Sequence, residues 1–173
     1  MFISTATAAE VNRWPLRGGL PALDLTNTEA YRGRPYRQDL LQSYDLLVAW
    51  GIGAGVVAPS EAGPLLAAAA ADPVAAARVL ERTVELRSAV HVLMQRLAHG
   101  EPPPPAALAV LDAVRVEGQV HSELVPDAAG FSLRFTPAHH LALPLWRLAD
   151  SASQLLTGGA WTRVRECPGH ECG

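Results

Sequence analysis

The side chains best suited to chemistry in this 173-residue chain fall in three places. The first is the run Gly18-Gly19-Leu20-Pro21-Ala22-Leu23-Asp24-Leu25-Thr26-Asn27-Thr28, which sets a carboxylate and an amide among apolar residues. The second is Arg87, flanked on its own helical row by Leu80, Val84, His91 and Met94. An arginine on such a row either snorkels to water or meets a buried carboxylate. The third is Cys167-Pro168-Gly169-His170-Glu171-Cys172-Gly173, a Cys-x4-Cys loop with the glycine pattern of a zinc knuckle. Two thiolates are half of a structural zinc site, which takes four ligands, so the chain as it stands is expected to bind zinc weakly or not at all.

Other polar groups specify less. Arg32, Arg34 and Arg37 lie in a polar loop, Tyr31–Asp39, which is either a solvated loop or an anion-binding patch without a glycine-rich cradle. His91 reads as a boundary histidine and His121 as an outward-facing strand residue. His139 and His140 are neighbours, and on a helix neighbours diverge by about 100°, too far to face one metal. No nucleophile stands at a base's spacing, so the chain does not read as an enzyme. All 14 cations are arginine, which excludes a Schiff-base lysine and a P-loop lysine.

The elements that must position these groups can be read from periodicity and punctuation. Hydrophobic residues make up 49% of the chain, enough for a globular core. The alternation of Leu23 and Leu25 with Asp24 and Thr26 predicts a half-buried strand over 22–26. In that strand Asp24 either faces solvent while Asn27 caps a turn, or forms a polar core spot with an arginine. Ser43 caps a helix to Trp50, closed by Gly51, Gly53 and Gly55. Pro59-Ser60-Glu61 opens a helix to about Ala71. Asp72-Pro73 opens a long one to Ala98, stopped by Gly100, with the stripe Val79, Thr83, Leu86, Val90, Leu93 and Leu97. Arg78 with Glu81 and Arg82 with Glu85 read as surface pairs.

The four prolines of 102–105 turn the chain into a helix ending near Val116. Residues 119–125 and 131–135 alternate around a turn and predict a hairpin. A last helix carries Leu141, Leu145, Leu148, Ala152 and Leu155, and either kinks or begins at Pro144. The fold class expected is α+β, mainly α: a helical domain with one small antiparallel sheet joining the opening strand to the hairpin, and a C-terminal zinc-knuckle fragment. Arg87 is expected to be buried against Asp24 or Asn27.

Net charge is −3, which argues against a nucleic-acid grip by this chain alone. No apolar run is long enough to span a membrane, Met1–Val11 lacks the charge pattern of a signal peptide, and two cysteines make no secreted disulfide framework. A cytoplasmic location is expected.

Leu23-Asp24-Leu25-Thr26-Asn27-Thr28 with Tyr31-Arg32, the Leu86-Arg87-Ser88-Ala89 run, and the ending Arg163-Val164-Arg165-Glu166-Cys167 onward together resemble the ABATE domain followed by a CGNR-type zinc finger. These are bacterial, stress-induced transcription regulators. An aromatic usually stands at the place of Leu25 in that family, and valine at that of Thr26. The resemblance implies an ABATE-like domain over 1–165 and the first half of a zinc finger over 166–173. It also implies zinc in a complete protein and DNA contact through an arginine-rich continuation with a second cysteine pair, which is not among these residues. Asp24, Asn27, Arg32 and Arg87 would form its ligand or polar core site, and Cys167 and Cys172 a metal half-site. A small-molecule effector and a homodimer are the other partners it allows. Two other readings are an interaction or dimerisation module built on apolar helices, and a small-molecule enzyme using Asp24, Arg87 and a histidine.

Overall fold

A computed structural model describes residues 11, 14, 16–128 and 130–165. Its first element corrects the expected opening strand. Pro21–Thr26 is a short helix, α1, with proline in its first turn, where a missing N–H costs nothing. The Leu20 carbonyl accepts from the amides of Leu23 at 2.9 Å and Asp24 at 3.0 Å. Over six residues a period of two and a period of 3.6 are hard to tell apart, and here Ala22 and Leu25, three apart, form the buried face. The Ala22 amide also donates to Ser151 Oγ at 3.1 Å.

The expected three-stranded sheet is therefore replaced, among the described residues, by two separate strand pairs. Glu29–Ala30 (β1) pairs antiparallel with Gln38–Asp39 (β2), Glu29 opposite Asp39, so the ends of the arginine loop are tied together. Ser122–Asp127 (β3) and Gly130–Phe135 (β4) form the expected hairpin.

The remaining helices follow their punctuation. Tyr44–Gly53 (α2) is capped by Ser43 Oγ, which accepts from the Leu46 amide at 3.2 Å. Pro59–Ala71 (α3) starts with the Glu61 carboxylate accepting from the Ala58 amide at 2.8 Å. Pro73–Ala98 (α4) is capped by Asp72, whose Oδ1 accepts from the Ala75 amide at 2.9 Å, and ends before Gly100 at φ +70°. Pro105–Val120 (α5) runs four residues further than its pattern suggests, taking Gln119 and Val120 from the hairpin's first segment. Leu143–Thr157 (α6) has Pro144 in its first turn, the start-of-helix alternative, and a 3-10 turn, Ala160–Arg163, follows. The fold is mainly helical with two small antiparallel pairs.

The core is shared by α1 to α6, with Leu25, Leu47, Trp50, Leu65, Leu86, Leu93, Trp146 and Leu148 almost wholly buried. The expected pairing of Arg82 with Glu85 gives way to one across helices: the Arg82 guanidinium reaches Glu117 of α5, which also accepts from Trp146 Nε1 at 2.9 Å. Arg147 of α6 holds Glu61 and the Val56 carbonyl, tying α6 to the start of α3. No single described helix is long and apolar enough to cross a membrane.

Candidate ligand site: a buried arginine and two carboxylates

Helix α4 carries Arg87 into the interior at zero exposure. Its fork is met bidentately by Asp39 at the end of β2: Nη1 donates to Oδ1 and Nη2 to Oδ2, each at 2.7 Å. Nη1 also donates to Thr28 Oγ1 at 3.1 Å, and Glu29 Oε2 lies 3.4 Å from Nη2. The short β1–β2 pairing makes this possible, because it sets Glu29 directly opposite Asp39.

The loop between the strands closes over the same carboxylates. Arg32 and Arg37 both contact Glu29, and Arg37 Nη2 donates to Asp39 Oδ2 at 2.8 Å. Arg32 Nη2 donates to the Thr26 carbonyl at 3.2 Å. The turn uses Tyr31 at φ +56° and Gly33 at φ +73°, and the rings of Tyr31 and Tyr36 meet edge to face at 5.2 Å. Three guanidinium groups thus face two carboxylates. The buried Nε atoms of Arg32 and Arg87 have no hydrogen-bond partner among the described residues.

Charge and burial set the protonation here. Burial acts to raise the Asp39 carboxyl, but its hydrogen bonds and charge contact with Arg87 prevail and hold it below the usual carboxylate range. Burial lowers the Arg32 guanidinium, and its neighbours Arg87 and Arg37 add to that against the pull of Glu29.

The expected partners of Arg87 lie elsewhere. Asp24 is buried, yet its Oδ1 accepts from the backbone amides of Arg17 at 2.7 Å and Gly18 at 2.6 Å, folding the preceding chain back onto α1. Asn27 is exposed at the C-terminal end of α1. Of the four expected site residues, the structure brings Arg32 and Arg87 together and leaves Asp24 and Asn27 outside their cluster. Glu29 and Asp39 are the residues that sequence reasoning missed. One signal was available: Asp39 directly precedes Leu40-Leu41, both buried, so its side chain is delivered to the core boundary.

A second polar grouping surrounds Trp146. His121 is not outward-facing: at the end of α5 it stacks on the Trp146 indole at 4.3 Å and 9°. His140 stacks there at 4.4 Å and lies 5.4 Å from His121. Burial lowers the His140 pKa, with His121 adding to the effect, and its Nδ1 accepts from the Ala142 amide at 3.1 Å. Among the described residues no three histidine, cysteine or carboxylate side chains group to hold a metal. The half-site Cys167 and Cys172 lies outside the described residues.

A family profile matches residues 19–159, covering Arg32, Arg87, their carboxylates and helices α1 to α6. The chain belongs to the ABATE family. That family's description is "putative stress-induced transcription regulator". The ABATE match ends before the cysteines and does not extend to a CGNR finger. Neither the curated proteins nor the solved structures yield a match.

Proposed function

We propose that this ABATE chain is the sensing domain of a transcription regulator, and that the arginine cluster takes a small anionic effector. The observation behind this reading is the imbalance at Arg87: three guanidinium groups, two carboxylates, and two buried Nε–H groups without partners. An unpaired buried donor is costly, and an anion is the ligand that relieves it. Arg37, the most exposed of the three, is the side chain that would swing aside. Asp24 and Asn27 would support the site by holding α1, not by touching the ligand.

DNA contact would come from a CGNR-type finger beginning at residue 166. Cys167 and Cys172 would supply two zinc ligands, with the other two provided from outside these residues. The protein would work in the cytoplasm.

Calorimetric titration with phosphate, sulfate and small dicarboxylates tests the sensing claim. At least one should bind, and Arg32→Gln should weaken it tenfold or more. If every anion merely reproduces the effect of sodium chloride at equal ionic strength, the effector reading fails. For the DNA claim, a longer chain carrying a second cysteine pair should take up one zinc and bind DNA with a salt-dependent affinity. Zinc uptake without DNA binding removes the DNA part alone.

A further inference from the structure

The β3–β4 hairpin stands apart from the core, and its ladder can be phased. The Thr136 amide donates to the His121 carbonyl at 2.7 Å, so that pair is hydrogen-bonded. Bonded and non-bonded pairs alternate along an antiparallel ladder. With the observed register, Ser122–Phe135, Leu124–Leu133 and Pro126–Phe131 are therefore the non-bonded pairs. The position of Pro126 agrees independently, because proline has no N–H to give and belongs at an outward-facing place on an edge.

Two consequences follow for the edges. On β4 the backbone N–H and C=O of Phe131 and Leu133 point away from β3, and among the described residues β4 pairs with β3 alone. On β3 the corresponding edge is interrupted by Pro126. The side chains of the outward-facing positions share one face, since they are two apart. On that face Leu124 is 71% exposed, Phe131 75% and Leu133 44%. The opposite face carries Val125 among polar residues, with Glu123 and Arg134 paired across the strands. Residues 130–134 of β4 are all exposed, whereas Phe135 is buried toward Trp146.

We infer that β4 pairs antiparallel with β4 of a second copy of this chain, about a two-fold axis at Ser132. That register uses the five exposed residues and no others. It sets Phe131 opposite the partner's Leu133 twice, an aromatic–aliphatic cross-strand pair. The outward groups of Phe131 and Leu133 exchange four backbone hydrogen bonds. Gly130 faces the partner's Arg134, which leaves each arginine with its own Glu123 and brings no like charges opposite each other. The product is a four-stranded sheet with one continuous apolar face, in place of two isolated hairpins that are marginal alone. A strand pairing of this length lies at the small end of specific interfaces, so the dimer should depend on concentration in the micromolar range. The inference is independent of the effector reading, since it uses neither Arg32 nor Arg87.

Disulfide trapping tests the register. In a chain carrying Cys167→Ser and Cys172→Ser, Ser132→Cys should form a linked dimer under mild oxidation. Non-bonded antiparallel partners have Cα atoms about 4.5 Å apart, within disulfide reach. Leu124→Cys, on the interrupted edge, should not link. In sedimentation, Leu133→Glu should weaken self-association at least tenfold, with a circular dichroism spectrum unchanged from the parent. A chain that stays monomeric to millimolar concentration overturns the proposal, its edge then being taken by another polypeptide or by none. Linking through Leu124→Cys, or dimerisation indifferent to Leu133→Glu, overturns it equally.

Discussion

Arg87 has no route to water, so its stability contribution depends wholly on its partners. Removing one member of a buried ion pair leaves the other uncompensated. Arg87→Ala should destabilise the fold by about 3–5 kcal/mol, measured by denaturant unfolding. Asp24→Ala should cost about 1–3 kcal/mol, measured the same way, because it strands the backbone amides of Arg17 and Gly18. Acid should also act through Asp39. Its folded pKa lies below its unfolded value near 3.8, so its contribution is complete above that value and lost as pH falls through the folded one. Melting temperature should fall as pH is lowered from about 4, and Asp39→Asn should flatten that part of the profile. The burial of Arg87 was legible in the sequence, because apolar residues flank it along a helical row. Its partner was not, since Asp39 lies 48 positions away and no periodicity links a loop carboxylate to a helix.

The elements divide by length and punctuation. Helix α4 was readable to its last residue, because Asp72-Pro73 opens it, Gly100 closes it, and 26 residues give its stripe many turns to repeat. Helix α1, at six residues, offers less than two turns of pattern and was misread as a strand. The α5–β3 boundary slipped for a related reason, since alternation in Gln119-Val120-His121 also fits a helix end stacked on Trp146. Gly118 marks how closely α5 and α6 approach: a Cβ there would stand 3.1 Å from Trp146 Cβ and 3.4 Å from Phe135 Cε1. Helix propensity alone would favour alanine by up to about 1 kcal/mol, against an overpacking cost of about 1–3 kcal/mol. Trp146 Cβ is fixed to its backbone and has little room to yield, so Gly118→Ala should lower the melting temperature.

At the scale of the whole molecule, the mainly helical class was legible from composition and punctuation, and the ABATE family from the runs at 23–32 and 86–89, both inside the matched residues. The separation of the two strand pairs was not, because the expected third strand is the helix α1 and the pairing of β1 with β2 follows no local alternation. The same separation makes stability uneven. Helices α4 and α6 bury long stripes, whereas the hairpin buries only Phe135. Hydrogen exchange on the dilute protein should therefore show hairpin amides opening well before those of α4. At concentrations where copies pair, the amides of Phe131 and Leu133 should slow and that of Ser132 should change little. Uniform protection in dilute solution would contradict this account of the hairpin.

The clamp at Arg87 also has a mechanical side. A helix of 26 residues is about 39 Å long, and Arg87 grips it near its middle. The grip leaves arms of about 20 Å on either side. A tilt of about five degrees there carries each end about 1.7 Å, in opposite directions, similar to the helix shifts of about 1–2 Å that suffice in switching proteins. One arm begins against α3 and the other ends at the proline-rich turn into α5. A displacement of the β1–β2 loop that tilted α4 about this point would be felt at both ends of the domain at once.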